Sequence, residues 1–236
     1  MQVYQATDVG RLRPTNEDAL AVLGENTYLV ADGMGGHAAG EIASHALVGA
    51  LKRALRDEPF PWNEKALSEA IRMANECILD LAQEQPEYRG MGTTATVLHI
   101  HDGRAYWSHV GDSRLYLLRD GILQQLTRDH TYVEGLVEQG MITREEARAH
   151  PKRNLLTRAV GVSQKIEVDA GRLFPRPGDR FLLCTDGLTN MVEEERIPGL
   201  LQDAANPAET LVRAALEAGG RDNITAIVLV YDDAQR

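Results

Sequence analysis

Five aspartates stand at the ends of apolar segments in this chain. Asp18 precedes ALAVL, Asp32 closes TYLVA, Asp112 follows WSHVG, Asp186 follows FLLCT, and Asp222 precedes NITAIVLV. Three adjoin glycine, as Asp32–Gly33, Gly111–Asp112 and Asp186–Gly187. Each alone has an ordinary explanation: an Asp–Gly pair behind a strand is usually a turn, in which Asp caps its own backbone and Gly takes positive φ. Five such positions exceed what turn chemistry predicts. If they converge, mutual repulsion raises their pKa values or demands cations. Hard carboxylate oxygens suit Mg²⁺ or Mn²⁺, which keep several waters. No His–Cys cluster points to zinc.

The elements that must bring these residues together are mostly strands. Apolar runs and turn signals predict early strands at 3–7, 20–23 and 27–31. Over 41–55 the period changes, and Ile42, Ala46, Leu47, Ala50, Leu51, Ala54 and Leu55 line one helical face. A second helix is expected from an Asn63 N-cap to about Gln85, ended by Pro86. Hairpins are expected at Asp102–Gly103 and Asp120–Gly121. Residues 127–158 are polar and partly helical, with a capping box at Thr143 and Glu146; they read as an inserted surface flap. A strand at 180–185, a helix over about 207–218 and the run NITAIVLVY follow. Continuous apolar runs such as FLLC and AIVLV predict strands covered on both faces. Two packed sheets with helices outside them, in a single domain over 1–236, are the expectation.

Composition narrows the function classes. The 236 residues carry a formal net charge of −10, with no basic tract to offset the acids. That argues against binding nucleic acid or an anionic membrane. No apolar stretch approaches the roughly 18 residues of a membrane span, and the N-terminus lacks a signal core, so a cytoplasmic protein is expected, with a monomer as the default. Cys184, inside FLLC, reads as a buried structural thiol.

Six blocks occur in order: RPTNED (13–18), VADGMGGHAAGE (30–41), GMGTTAT (90–96), HVGDSRLY (109–116), CTDGLTN (184–190) and GGRDNITAIV (219–228). The chain resembles the metal-dependent protein Ser/Thr phosphatases of type 2C in their compact bacterial form. The resemblance implies an α+β fold, a central β-sandwich of two mainly antiparallel sheets flanked by helical pairs in four layers, α-β-β-α, with the flap inserted. It implies two Mn²⁺ or Mg²⁺ ions and a weaker third. Asp32 would bridge two metals and the Gly33 carbonyl would bind one. Asp186 and Asp222 would complete the first metal's protein ligands, Glu17 and Asp18 would act on the second through waters, and Asp112 with Asp186 would hold the third. Arg13 would bind the substrate phosphate, which a metal-bridging water attacks directly. The implied partners are phosphorylated proteins, a Ser/Thr kinase and its substrates among them.

The physics is consistent with those roles. Bridging cations reverse the field that a carboxylate cluster would present to a phosphate dianion, and arginine offers a fork that lysine cannot. The glycines at 33, 35 and 36 would let the backbone approach a metal. Met34 stands where many eukaryotic members carry a histidine proposed as the general acid. His37, His130, His150 and a metal-bound water are the alternatives. GMGTTAT and Ser113–Arg114 read mainly as backbone and packing positions. Two rival readings are a catalytically silent phosphoprotein-binding or scaffolding member of the same fold, and a plain cation-binding sandwich. The first predicts missing ligands, yet all are present; the second leaves Arg13 and the flap without a purpose.

Overall fold

The computed structural model describes residues 1–24, 26–36, 39–57, 62–202 and 205–232. In chain order the strands are β1 (Gln2–Asp8), β2 (Asp18–Leu23), β3 (Thr27–Met34), β4 (Gly92–Thr93), β5 (Ala95–His101), β6 (Arg104–Val110), β7 (Arg114–Arg119), β8 (Ile122–Gln125), β9 (Asp169–Leu173), β10 (Arg180–Cys184) and β11 (Ile224–Val230). The helices are α1 (Ala39–Asp57), α2 (Glu64–Glu84), α3 (Tyr132–Glu138), α4 (Arg144–Ala149), α5 (Asp186–Thr189), α6 (Ile197–Gln202) and α7 (Pro207–Glu217). One sheet runs β1-β11-β10-β7-β8. The other runs β2-β3-β5-β6-β9, with β4 paired to β3.

Strand alternation builds the layers. Tyr28, Val30, Leu98 and Ile100 point inward and meet Leu115, Leu117, Phe181, Leu183, Ile227 and Leu229 of the facing sheet. The intervening Leu29, Ala31 and Val97 point outward and pack beneath α1 and α2 with Leu47, Leu51, Leu67 and Ile71. Tyr116, Leu182, Ala226 and Val228 do the same beneath α6 and α7. A period-2 strand apolar on both faces must be covered twice, and this gives the four-layer α-β-β-α order. Every strand pairing is antiparallel.

Local signals account for the ends. Asn63 accepts hydrogen bonds from the Lys65 and Ala66 N–H groups and starts α2. Asp102 and Asp120 take φ of 49° and 51° in their hairpin turns. The capping box at Thr143 and Glu146 is formed, and Cys184 is buried. β9 and the short β4 had no run of alternation long enough to mark them. The segment 127–158 carries α3 and α4, but its base is not surface: Thr127, His130, Thr131 and Val133 are buried. Among the described residues no helix is long and apolar enough to cross a membrane.

Candidate metal centre

The antiparallel register of β2 and β3 sets Asp18 directly opposite Asp32. Asp112 lies between β6 and β7, Asp186 opens α5 behind β10, and Asp222 precedes β11, so both sheets deliver carboxylates to one end of the sandwich. Arg13, Glu17, Asp32, Gly33, Asp112, Asp186 and Asp222 line a single cleft of about 630 Å³. Asp18, 5% exposed, is buried beside Asp32. The structure thus brings together every residue expected to bind metal or phosphate; of the candidate general acids, His37 lies outside the described residues.

The turn explanation fails where it matters. Asp32 and Gly33 continue an extended strand to Met34, and Asp186–Gly187 begins a helix; none of the four has positive φ. Close packing demands the glycines instead. A Cβ on Gly33 would lie 2.1 Å from the Gly40 carbonyl oxygen, and one on Gly187 would lie 1.9 Å from that of Asn223. Gly187 is therefore what lets the start of α5 seat against the Asp222–Asn223 loop. At Gly36 a Cβ would meet nothing within 4 Å, so no crowding explains that glycine.

Neighbouring polar groups hold the backbone at Glu17 and Asp32 and the carboxylates of Asp18 and Asp186. GMGTTAT and Ser113 are more than packing positions. The Thr94 hydroxyl accepts the Asp32 N–H at 2.8 Å and lies 2.7 Å from Ser113 Oγ. Thr93 Oγ1 donates to the Asp32 carbonyl at 3.0 Å. Thr185 Oγ1 donates to Asp18 Oδ2 at 2.8 Å, and Asn190 Nδ2 to Asp186 Oδ2 at 3.0 Å. Asn223 accepts the Glu17 N–H at 2.8 Å and donates to the carbonyls of Val9 and Thr15. Arg114 forms a fork with Asp129 and also reaches Glu194. The only sequence signal for Thr185 and Asn223 was adjacency to Asp186 and Asp222.

Electrostatics show what the cluster needs. Burial, then repulsion from Asp18, Asp186, Asp112 and Asp222, pushes Asp32 well above the carboxylate range. Burial and Asp186 do the same to Asp112. Burial raises Asp18 to about 7 against hydrogen bonds from Thr225 and Thr185, and burial with Asp222 raises Asp186 to about 6. Such a cluster holds either protons or cations. Cations fit: Asp18 Oδ1 is buried with no hydrogen-bond partner, which a cation or its water would supply. Among the described residues no three His, Cys, Asp or Glu side chains group tightly enough to hold an ion alone. The carboxylates and the Gly33 carbonyl in the cleft are oxygen donors, a set that suits Mg²⁺ or Mn²⁺, with water completing the sphere, better than zinc.

Arg13 sits at the cleft mouth, its guanidinium half exposed and 2.8 Å from Asp222 Oδ2. His130 and His150 do not line this cleft. His130 is buried, and His150 Nδ1 accepts the Lys152 N–H.

A sandwich of this topology, with carboxylates at one end and an arginine over them, defines a class, and the family comparison agrees. The model of the protein phosphatase 2C family matches residues 14–223, and the chain belongs to that family. It is 43% identical over 224 residues to the serine/threonine protein phosphatase PstP of Mycobacterium tuberculosis, covering 94% of this chain but only 43% of that relative; the chain thus spans less than half of PstP. It is 39% identical to the protein phosphatase PhpP of Streptococcus pneumoniae, covering 99% of this chain and 98% of PhpP. A crystal structure of the PstP catalytic domain in complex with two manganese ions superposes with a TM-score of 0.90 at 40% identity over 98% of each chain.

Proposed function

We propose that this protein hydrolyses phosphoserine and phosphothreonine in proteins, using Mn²⁺ or Mg²⁺ held by the aspartate cluster. The observation that carries the reading is the gathering of Glu17, Asp32, Asp112, Asp186 and Asp222 with Arg13 in one cleft. When bound, the metal supplies an activated water and offsets the charge of the phosphate dianion. Asp32, Asp186 and Asp222 would hold the core ions with the Gly33 carbonyl, Glu17 and Asp18 would orient their waters, and Asp112 with Asp186 would hold a third. Arg13 would exchange its bond to Asp222 for the phosphate oxygens, where its fork fixes the group for in-line attack. No side-chain nucleophile is required. The names of its relatives support phosphorylated proteins as substrates, and the reading extends to a bacterial Ser/Thr kinase and its substrates as partners and to a monomer in the cytoplasm.

The test is phosphate release from a phosphothreonine peptide by chelator-stripped protein. Turnover that appears on adding Mn²⁺ is the expected result. Metal binding without turnover across several phosphopeptides would favour the silent, phosphoprotein-binding alternative.

A further inference from the structure

Behind the cleft wall two buried histidines grip the two peptide groups that flank one glycine. Gly111, immediately before Asp112, donates its N–H to His130 Nδ1 at 3.1 Å. Its carbonyl accepts the His130 N–H at 2.7 Å and His109 Nε2–H at 3.0 Å. Gly111 has φ of 110°, and a Cβ there would lie 2.5 Å from Thr94 Cγ2, so the glycine is clamped by hydrogen bonds and packing together. The rings of His109 and His130 lie 4.9 Å apart.

The other edge of His130 faces away from Gly111. A backbone N–H can only donate, so Nδ1 of His130 is bare and its proton sits on Nε2. That Nε2–H points to Asp169 Oδ2 at 3.2 Å. Asp169 Oδ1 accepts from Arg158 Nη1 at 2.9 Å. Arg158 Nη1 also lies 3.3 Å from His130 Nε2; both atoms carry hydrogen, so the carboxylate serves as their shared acceptor. Arg158 lines the same cleft as Asp32 and Asp112. The Thr157 N–H donates to the His130 carbonyl at 2.8 Å, which ties the backbone beside Arg158 to the same residue.

We propose that His130 is a positioning residue with two separable roles: its Nδ1 sets the Gly111–Asp112 backbone for metal binding, and its Nε2, through Asp169, holds Arg158 toward the substrate. The inference rests on the phosphatase reading above. It explains why a buried histidine stands at the base of a segment whose outer part, over 138–155, is polar and mostly exposed.

Two isosteric variants separate the roles. In His130→Asn the amide oxygen takes the place of Nδ1, and the reach to Asp169 is lost. In His130→Gln the amide nitrogen takes the place of Nε2, and the acceptor for Gly111 is lost. His130→Asn should raise KM for a phosphothreonine peptide roughly tenfold, the size expected from one charge-assisted hydrogen bond, with the Mn²⁺ dissociation constant of the chelator-stripped protein, read by equilibrium dialysis without substrate, near wild type. His130→Gln should raise that dissociation constant roughly tenfold with little change in KM. Asp169→Asn, at a half-exposed sheet edge, should reproduce the KM effect, and it decides the matter if the histidine variants do not fold. The two histidine variants shifting the same constant equally, or Asp169→Asn leaving KM unchanged, would overturn the proposal. Wild-type turnover with Mn²⁺ would leave the phosphatase reading standing in either event; its absence would remove that reading itself.

Discussion

Arg13 meets Asp222 as a half-exposed ion pair, a contact worth less than about 1 kcal/mol to stability. Its proposed worth lies in the fork presented to phosphate. Arg13→Lys should therefore lower kcat/KM for a phosphothreonine peptide roughly ten- to a hundredfold while the melting temperature stays close to wild type; equal activity in the variant would remove Arg13 from the phosphate site. His99 supplies a pH prediction clear of the carboxylates. Burial, with His101 nearby, pushes its pKa down to about 4, and its Nδ1 is bonded to Thr27 Oγ1. The unfolded chain takes this proton near pH 6.5, before the folded one does, so the stabilisation is complete above pH 6.5 and is lost as pH falls toward 4. Denaturation of wild type and His99→Phe across pH 7 to 4 should show the wild type losing stability relative to the variant over that window. Parallel curves would place the acid sensitivity elsewhere. At this scale the sequence was ambiguous for a definite reason. Asp102–Gly103 and Asp32–Gly33 look alike as dipeptides, yet one is a positive-φ turn and the other a strand held by Thr93 and Thr94. The hydroxyls that decide between them come from a strand about sixty residues away.

Elements whose burial repeats along the chain were legible. The stripe on α2, the Asn63 cap and the doubly apolar runs of β10 and β11 each state locally what covers them. β9 was not legible, because its half-buried DAGRL pattern gains its meaning only from pairing with β6. The base of 127–158 was missed for a related reason: His130 is polar, and its burial is satisfied by Gly111 and Asp169 rather than by apolar neighbours. The layers carry unequal energies. Phe181, wholly buried between the sheets, should cost about 3–5 kcal/mol on truncation to alanine, whereas Asn63→Ala should cost only about 1 kcal/mol. Chemical denaturation of the two variants measures both; similar losses would mean that the inter-sheet layer relaxes around the cavity.

For the molecule as a whole, the sandwich is an arrangement for gathering negative charge. Two sheets end at one cleft, and burial with mutual repulsion raises Asp18, Asp32, Asp112 and Asp186. This convergence could not be read from spacing, since Asp18 and Asp222 lie at opposite ends of the chain; the six ordered blocks supplied it only through resemblance. Its most direct test is Mn²⁺ binding to chelator-stripped protein by equilibrium dialysis, wild type beside Asp32→Asn, with circular dichroism to establish that both are folded. The account predicts about two tightly bound Mn²⁺ ions per wild-type chain and their loss in the variant. Undiminished binding by a folded Asp32→Asn, or none by the wild type, would contradict a metal centre built on Asp32.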